Sequence, residues 1–299
     1  MNPLRSTTQL ARGGHPVEVA ARRAPAFTIL ELLVVISIIG LMAALAIPAV
    51  KDLGKSNVRL TAARQLLDDI GRARQLALTQ RTTVYMIFVP TNFWDTTIYW
   101  PSGTTPTTPA FTNLCDKQLS GYTFVTLRSV GDQPGQGTTN YLAPWQSLPD
   151  NNFIALWKFN PYSPTTVAPT NITDFISKRV YSIPGFHRTD SYLPIPFPTT
   201  NSLLAINLPY IAFNYKGQLT TEELSPSPSP QDEYIPLATG SVSPAINGGA
   251  RTWVLGGNAG ANAPTVTEVP PGNSVGSSYD IIHINWLTGR ARQETQQVQ

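Results

Sequence analysis

The feature that most constrains this chain is a run of 19 residues without a charged side chain, residues 32–50. A helix rises about 1.5 Å per residue, so the run would be about 28 Å long, close to the ~30 Å hydrocarbon core of a bilayer. Gly40 and Pro48 weaken a helix in water but are tolerated in membrane helices. The run therefore predicts a transmembrane helix over residues 30–50.

The residues around this run leave several interpretations open. Arg22 and Arg23, with the sequence Ala-Leu-Ala at residues 44–46, fit an ordinary secretory signal that is removed by cleavage. A plain signal anchor is a second interpretation. Both are difficult to reconcile with Glu31, because a charge at bilayer depth costs roughly 2.5–3.5 kcal/mol on insertion scales.

A third interpretation comes from residues 26–36, AFTILELLVVI. This segment resembles the processing and methylation site of type IV pilins and type II secretion pseudopilins, in which a leader is cut before a Phe that opens the pattern Phe-Thr-x-x-Glu. The matching residues are Phe27, Thr28, Glu31, Gly40 and Pro48. The resemblance implies cleavage between Ala26 and Phe27, N-methylation of Phe27 and a helix kink at Pro48. Ala26 departs from the family, which usually has Gly there.

The resemblance also gives Glu31 a role in assembly and subunit register. Cleavage before Phe27 creates a new α-amine four residues from Glu31. A carboxylate about 4 Å from the amine of a neighbouring subunit gains about 4 kcal/mol at an effective dielectric constant near 20. The alternative is a tolerated glutamate near a helix N-terminus, where the helix dipole favours an acid.

The helical pattern continues past the apolar run. Leu53, Leu60 and Leu67 recur every seven residues, and Ala63, Ile70 and Ala77 lie between them. The pattern predicts an amphipathic half of one long helix, residues 27–81, whose apolar stripe packs on a sheet. Residues 73–77, Ala-Arg-Gln-Leu-Ala, followed by the strand-like residues 82–89, resemble the H-type minor pseudopilin of type II secretion.

The rest of the chain, residues 82–299, reads as a β-rich domain with long loops. Predicted strands are residues 82–89, 98–100, 123–128, 153–158, 210–215, 251–255 and 279–288. Residues 90–200 are rich in Pro, Thr and Asn and form an elaboration of unknown purpose. The segments 211–219 and 282–292 again resemble the H-type family. The implied fold class is α+β and pilin-like, with a long N-terminal helix, half membrane-spanning and half amphipathic, packed on an antiparallel sheet with long loops.

Composition excludes several kinds of site. The chain has one cysteine, Cys115, so an intrachain disulfide and a multi-cysteine metal site are excluded. No enzyme signature is present, and neither a cofactor nor a metal is expected. His283 alternates with the apolar face of its strand and is predicted to point to solvent. Cys115 is predicted to be a bystander in a polar loop.

Charge is distributed unevenly along the chain. The leader, residues 1–26, holds the whole net charge of +3, while residues 51–81 are +4 and residues 82–299 are −3. Residues 289–292, Gly-Arg-Ala-Arg, resemble a motif with which type IV minor pilins hold DNA during uptake. Arg290 and Arg292 could clamp phosphates, although the acidic balance of their domain opposes this.

These observations predict a minor pseudopilin, a structural subunit of a periplasmic filament in type II secretion. The resemblance implies a single pass through the bacterial inner membrane, with the C-terminal domain in the periplasm. The implied partners are a prepilin peptidase and methyltransferase, other pseudopilins, the inner-membrane secretion platform and membrane lipid. The alternatives are a type IV minor pilin that binds DNA through Arg290 and Arg292, and a secreted or anchored binding protein with an ordinary signal.

Overall fold

The computed structural model describes most of the chain in separate ranges. These are residues 28–91, 93–94, 99, 114–129, 131–133, 137–159, 170–173, 180–183, 185–188, 195–201, 205–221, 231–247, 252–253, 263–274 and 280–295. In the long helix, side chains are described for residues 28–44 and 59–80. The chain divides into two compact units, Met1–Asp52 and Leu53–Gln299, which are treated separately below.

One α-helix and eighteen strands are found in the described residues. The helix, α1, is Ile29–Gln80. The strands in chain order are β1 Val84–Phe88, β2 Gly121–Thr126, β3 Asn140–Tyr141, β4 Gln146–Ser147, β5 Asn152–Ile154, β6 Thr170–Thr173, β7 Val180–Ile183, β8 His187–Arg188, β9 Ile195–Pro196, β10 Ala205–Ile206, β11 Pro209–Phe213, β12 Leu219–Thr220, β13 Glu233–Ser243, β14 Ile246–Asn247, β15 Thr252–Trp253, β16 Thr265–Glu268, β17 Asp280–Ile284 and β18 Ala291–Thr295. A short 3₁₀ helix, Leu156–Phe159, follows β5.

In the unit Met1–Asp52, α1 begins at a capped N-terminus. The Glu31 N–H donates to the Thr28 hydroxyl at 3.2 Å, and the Leu32 N–H donates to the Thr28 carbonyl at 3.1 Å. Thr28 therefore acts as the N-cap residue of α1. Every side chain of residues 28–44 is exposed. Within the described residues, no helix combines the length and the apolar character needed to cross a bilayer.

In the unit Leu53–Gln299, the second part of α1 buries one face. The buried residues are Ala63, Leu66, Ile70, Ala73 and Ala77, at spacings that alternate between three and four as one side of a helix requires. Ala63, Ile70 and Ala77 of the predicted stripe are buried and Leu67 is half-buried, but Leu60 is 40% exposed. Relative to the predicted stripe, the buried face is turned by roughly 60°, because residues three apart on a helix lie about 60° short of a full turn.

A seven-stranded antiparallel sheet packs on this face of α1. Its main order is β12-β11-β1-β2-β3, with β4 beside β2 and β8 beside β11. Val84, Met86 and Phe88 of β1 join the cluster that contains α1, whereas Tyr85 and Ile87 join a cluster on the opposite face. Both faces of β1 are buried, which explains its uninterrupted apolar sequence.

The elaboration at residues 90–200 contributes to the cover of the second face of this sheet. The buried residues it supplies there are Phe93, Trp94, Tyr99, Leu114, Cys115, Ile195 and Phe197. Phe93 and Phe197 meet edge to face, with ring centroids 5.8 Å apart. Part of the elaboration is therefore core, and it protects the sheet face that α1 leaves uncovered.

A second sheet of five strands shares the core with α1. Its main order is β16-β13-β17-β18, and β5 pairs with β13. Ile235, Leu237, Ile282 and Ile284 from this sheet lie in the same cluster as the buried face of α1. The longest described strand, β13, was not among the strands predicted from the sequence. Three two-stranded sheets, β9 with β10, β14 with β15, and β6 with β7, complete the described part.

The predicted fold class is wrong. A pilin-like α+β fold, with a membrane half and an amphipathic half of one helix packed on one antiparallel sheet, requires a helix able to cross a bilayer, and the described residues contain none. Beyond α1 and one short 3₁₀ helix, the regular structure of the described residues is antiparallel strand, divided among five sheets. The physical reason is that β13 and the region at 90–200, expected to be mainly loops, form strands and bury side chains of their own.

Several predicted strands are shorter in the structure. Residues 153–158 were predicted as one strand, but β5 ends at Ile154 and a 3₁₀ helix follows. Residues 279–288 become β17, which ends at Ile284, and a turn. Most of the predicted strands at 98–100 and 251–255 lies outside the described residues.

Candidate functional site

Two turns that are far apart in sequence meet at α1. Residues 214–218 connect β11 to β12, and residues 285–290 connect β17 to β18. The Leu219 N–H donates to the Trp286 carbonyl at 3.0 Å and ties the two turns together. Arg74 of α1 donates from Nε to the Thr288 carbonyl at 2.7 Å. Arg74 and these two turns are called the turn junction below.

Each turn is built around an asparagine. The Asn214 Oδ1 accepts the N–H groups of Lys216 and Gln218 at 2.9 and 3.0 Å. The Asn285 Oδ1 accepts the N–H and the hydroxyl of Thr288 at 3.0 and 2.9 Å. Asn side chains commonly hold turns in this way. The shared order of Asn followed by Gly in both C-terminal segments was a visible signal for this junction.

Two glycines allow the turns to approach closely. Gly217 and Gly289 have φ values of +74° and +62°, a region that L side chains rarely adopt. A Cβ atom on Gly289 would lie 2.0 Å from the Gly217 carbonyl oxygen. The contact between the turns therefore requires glycine at position 289.

The tips of the turn junction present basic and apolar side chains together. Lys216 and Arg290 are exposed. Tyr215 is 44% exposed and Leu287 is 52% exposed. Exposed basic groups beside apolar ones are suited to contact with an acidic surface.

Beside the turn junction, His283 lies between two carboxylates. Its Nε2 is 2.7 Å from Asp232 Oδ2, its Nδ1 is 2.8 Å from Glu294 Oε1, and its ring stacks on Tyr234. The predicted solvent-facing His283 is wrong, because His283 is only 8% exposed. Both ring nitrogens face carboxylate oxygens, so neither is positioned to act as a base on a substrate. The carboxylates come from sequence positions 51 residues before it and 11 after it, a pairing that only the sheet creates.

The two predicted DNA contacts have different surroundings. Arg292 pairs with Glu294, its NH2 nitrogen 2.7 Å from Oε1, and its Nε contacts the same carboxylate at 2.9 Å. Glu294 therefore offsets the charge of Arg292. Arg290 is exposed at the turn junction. Binding of DNA by this pair stays a prediction.

The structure contains a buried ion pair that was not predicted from the sequence. Lys158, fully buried at the end of the 3₁₀ helix, contacts the carboxylate of Glu233 on β13. Its Nζ lies 4.7 Å from the centroid of the Phe186 ring. Burial lowers the pKa of Lys158, while Glu233 acts in the opposite direction. The pair joins the 3₁₀ helix to the second sheet.

Cys115 is buried rather than part of a polar loop, so that prediction about its surroundings is wrong. Burial, and then the nearby charge of Asp116, raise its pKa to about 11. A thiol with a raised pKa is a poor nucleophile at neutral pH, because the thiolate is the reactive form. Across the residues for which positions are described, no group of three His, Cys, Asp or Glu side chains could hold a metal ion.

The residues of the predicted processing motif are only partly described. Ala26 and Phe27 lie outside the described residues. Glu31 lies in the first turn of α1 and is exposed. Pro48 lies within α1, outside the part whose side chains are described, so a kink there stays a prediction. Glu31 belongs to the unit Met1–Asp52, whereas Arg290 and Arg292 belong to the unit Leu53–Gln299.

No family model, curated protein or solved structure matches this chain. Its function is therefore inferred from its own residues.

Proposed function

We propose that this chain is a minor pseudopilin, a structural subunit of the periplasmic pseudopilus of a type II secretion system. In this proposal a prepilin peptidase removes residues 1–26, and Phe27 becomes the methylated N-terminus. The mature chain passes once through the bacterial inner membrane, with its C-terminal unit in the periplasm. It then joins other pseudopilins on the inner-membrane secretion platform.

One observation carries the proposal: the exposed apolar surface at the start of α1. The large apolar side chains between Ile29 and Met42 are 44–87% exposed. Soluble monomers rarely expose a contiguous apolar surface of this kind, and such surfaces mark contacts with proteins or membranes. The exposed residues occur on every side of the helix rather than in one stripe. Lipid, or several neighbouring helices at once, would cover such a surface.

Glu31 supports assembly rather than simple anchoring. Its carboxylate is the one acidic group within the apolar stretch of residues 29–44. In lipid an unpaired carboxylate is costly, by roughly 2.5–3.5 kcal/mol on insertion scales. The amine that cleavage creates on a neighbouring subunit would neutralise it. Transfer from the bilayer into a filament would therefore be favoured.

The N-terminus of the mature protein tests the proposal directly. The full chain is expressed with a prepilin peptidase, and its N-terminal peptide is identified by mass spectrometry. We expect a peptide that begins with N-methylated Phe27. An intact leader, or a mature chain that begins at Ile47 after the Ala-Leu-Ala sequence, would contradict the proposal.

Two variants separate processing from assembly. Ala26→Gly restores the residue that the family usually has before the cut and is expected to be cleaved at least as fast as the native chain. Glu31→Val should be cleaved normally but should fail to enter filaments, because the carboxylate that pairs with the neighbouring amine is gone. If Glu31→Val enters filaments as the native chain does, the assembly role of Glu31 is wrong.

A further inference from the structure

The strand register of the unit Leu53–Gln299 defines two ends of its paired sheets. One end, called the turn end, contains Val84 with its partners Thr126 and Phe213, and the second sheet ends there at Ile284. The turn junction lies at this end. The far end contains Phe88 opposite Tyr122 in the first sheet and Asn152 opposite Thr239 in the second.

The turn end is basic. The exposed cations at this end are Arg81, Arg128, Lys216 and Arg290. Three described acids accompany them and are already bound. Asp132 accepts the N–H of Ser129 at 2.7 Å, and Asp232 contacts His283 at 2.7 Å. Glu233, opposite Ile284, pairs with the buried Lys158. The cations therefore outnumber the acids among the described residues of this end.

The far end is acidic. Asp116 and Asp150 are exposed there, and Glu268, paired opposite Gly240, is half-buried and holds Ser274. Asp69 of α1 also lies there and accepts the Tyr122 hydroxyl. The described cations beside these four acids are Lys117, which is half-buried, and Arg64, which is exposed next to Gln65. Asp280, also at this end, pairs with Arg59 and adds little net charge.

Each end also exposes apolar side chains beside its charges. At the turn end these are Tyr215 and Leu287. At the far end Val269 is 52% exposed, and its N–H donates to the Thr239 carbonyl at 2.8 Å. Apolar contact supplies affinity, whereas complementary charge supplies orientation and register.

We propose that the turn end of one copy of this chain binds the far end of a second copy. Lys216 and Arg290 of one copy face Asp116 and Asp150 of the next. Because the two surfaces differ, the contact is heterologous and leaves one free surface of each kind, to which other subunits of the filament can bind. This contact rests on the proposed function and names one partner within the assembly, a second copy of the chain.

Charge reversal at each end tests the contact. The full chain is studied in detergent micelles by sedimentation velocity over a range of salt concentrations. Self-association of the native chain should weaken as salt rises, because exposed charges are screened. The pair Lys216→Glu/Arg290→Glu makes both ends acidic, and Asp116→Lys/Asp150→Lys makes both ends basic. Each variant alone should self-associate about tenfold more weakly than the native chain.

Mixing the two variants provides the decisive measurement. Each end of one variant then meets an end of opposite charge on the other, so association should return to within about threefold of the native value. Recovery on mixing also requires that both variants are folded. The control Asp68→Lys reverses one exposed charge on α1, between Gln65, which contacts Tyr122 at the far end, and Arg74, which contacts Thr288 at the turn end. It should leave the association unchanged.

Three results would overturn the contact: a native chain that stays monomeric, reversal variants that associate like the native chain, or a mixture that gains nothing. None of them bears on cleavage before Phe27. A chain that is processed at Phe27 but shows no charge-dependent self-association would leave the proposed function standing and remove this contact alone.

Discussion

Replacing Gly289 with alanine perturbs the turn junction at its closest point. The added Cβ would lie 2.0 Å from the Gly217 carbonyl oxygen and 3.1 Å from the Cδ of Arg74. The carbonyl belongs to the backbone and cannot rotate away independently. The two turns must therefore separate, and the hydrogen bonds that connect them must lengthen.

The cost of Gly289→Ala has two parts. The residue has a φ of +62°, and an L side chain in the left-handed region costs about 1 kcal/mol. Separation of the turns weakens the bond from the Leu219 N–H to the Trp286 carbonyl and the bond from Arg74 to the Thr288 carbonyl. A neutral bond contributes about 1 kcal/mol and a bond to a charged group about 2 kcal/mol. The expected loss in the free energy of unfolding is therefore about 3–5 kcal/mol.

Gly272→Ala is the matched control. Gly272 has a similar φ of +72°, but a Cβ there would meet no atom within 4 Å. It should lose only the backbone part, about 1 kcal/mol. Both variants of the full chain are unfolded with urea in the same detergent and followed by tryptophan fluorescence. Equal losses for the two variants would show that the close approach of the turns contributes nothing to stability.

Three further predictions concern two buried groups, Cys115 and the Lys158–Glu233 pair. The pKa of Cys115 is raised to about 11 from an ordinary value of 9.0. Cys115 should therefore react with a disulfide reagent at pH 8 at least about 100-fold more slowly in the folded chain than in urea. Equal rates would contradict its burial. The same shift makes the free energy of unfolding fall as the pH rises from 9 towards 11, since the unfolded thiol loses its proton first. Lys158→Met should lower the free energy of unfolding by about 3–5 kcal/mol, because it leaves Glu233 buried without its ion-pair partner. In urea unfolding, Lys158→Met/Glu233→Leu should recover most of that loss. A double variant no more stable than the single one would refute this explanation.

Much of the local organisation could be predicted from the sequence. Helical periodicity identified the segment around Ala63, Ile70 and Ala77, which lies in the core. The segments at 211–219 and 282–292 both stand out in the sequence by their resemblance to the H-type family, and each contains a glycine turn. These features depend on neighbours within a few residues, and local spacing carries that information.

The side of the helix that is buried was harder to predict from the sequence. Leu60 fits the seven-residue pattern as well as Ala63 does, yet it is 40% exposed while Ala63 is buried. Which side of a helix is buried depends on where the sheet lies, and the sheet is formed by residues far along the chain. The part that the region at 90–200 plays in covering the sheet could not be predicted for the same reason. Its residues Phe93 and Phe197 are far apart in sequence and meet only in the folded chain.

The sequence by itself determined the apolar run with Glu31 at its edge, the single cysteine and the uneven charge along the chain. Only the tertiary structure decided which charged side chains are paired within the chain and which are exposed to a partner. It places Glu233 against Lys158 and two carboxylates against His283, and it gathers Arg81, Arg128, Lys216 and Arg290 at one end of the sheets. The physical reason is the distance along the sequence between the residues that interact. Helix and turn patterns repeat over a few residues, whereas burial and charge pairing depend on partners that strand register brings together from distant positions.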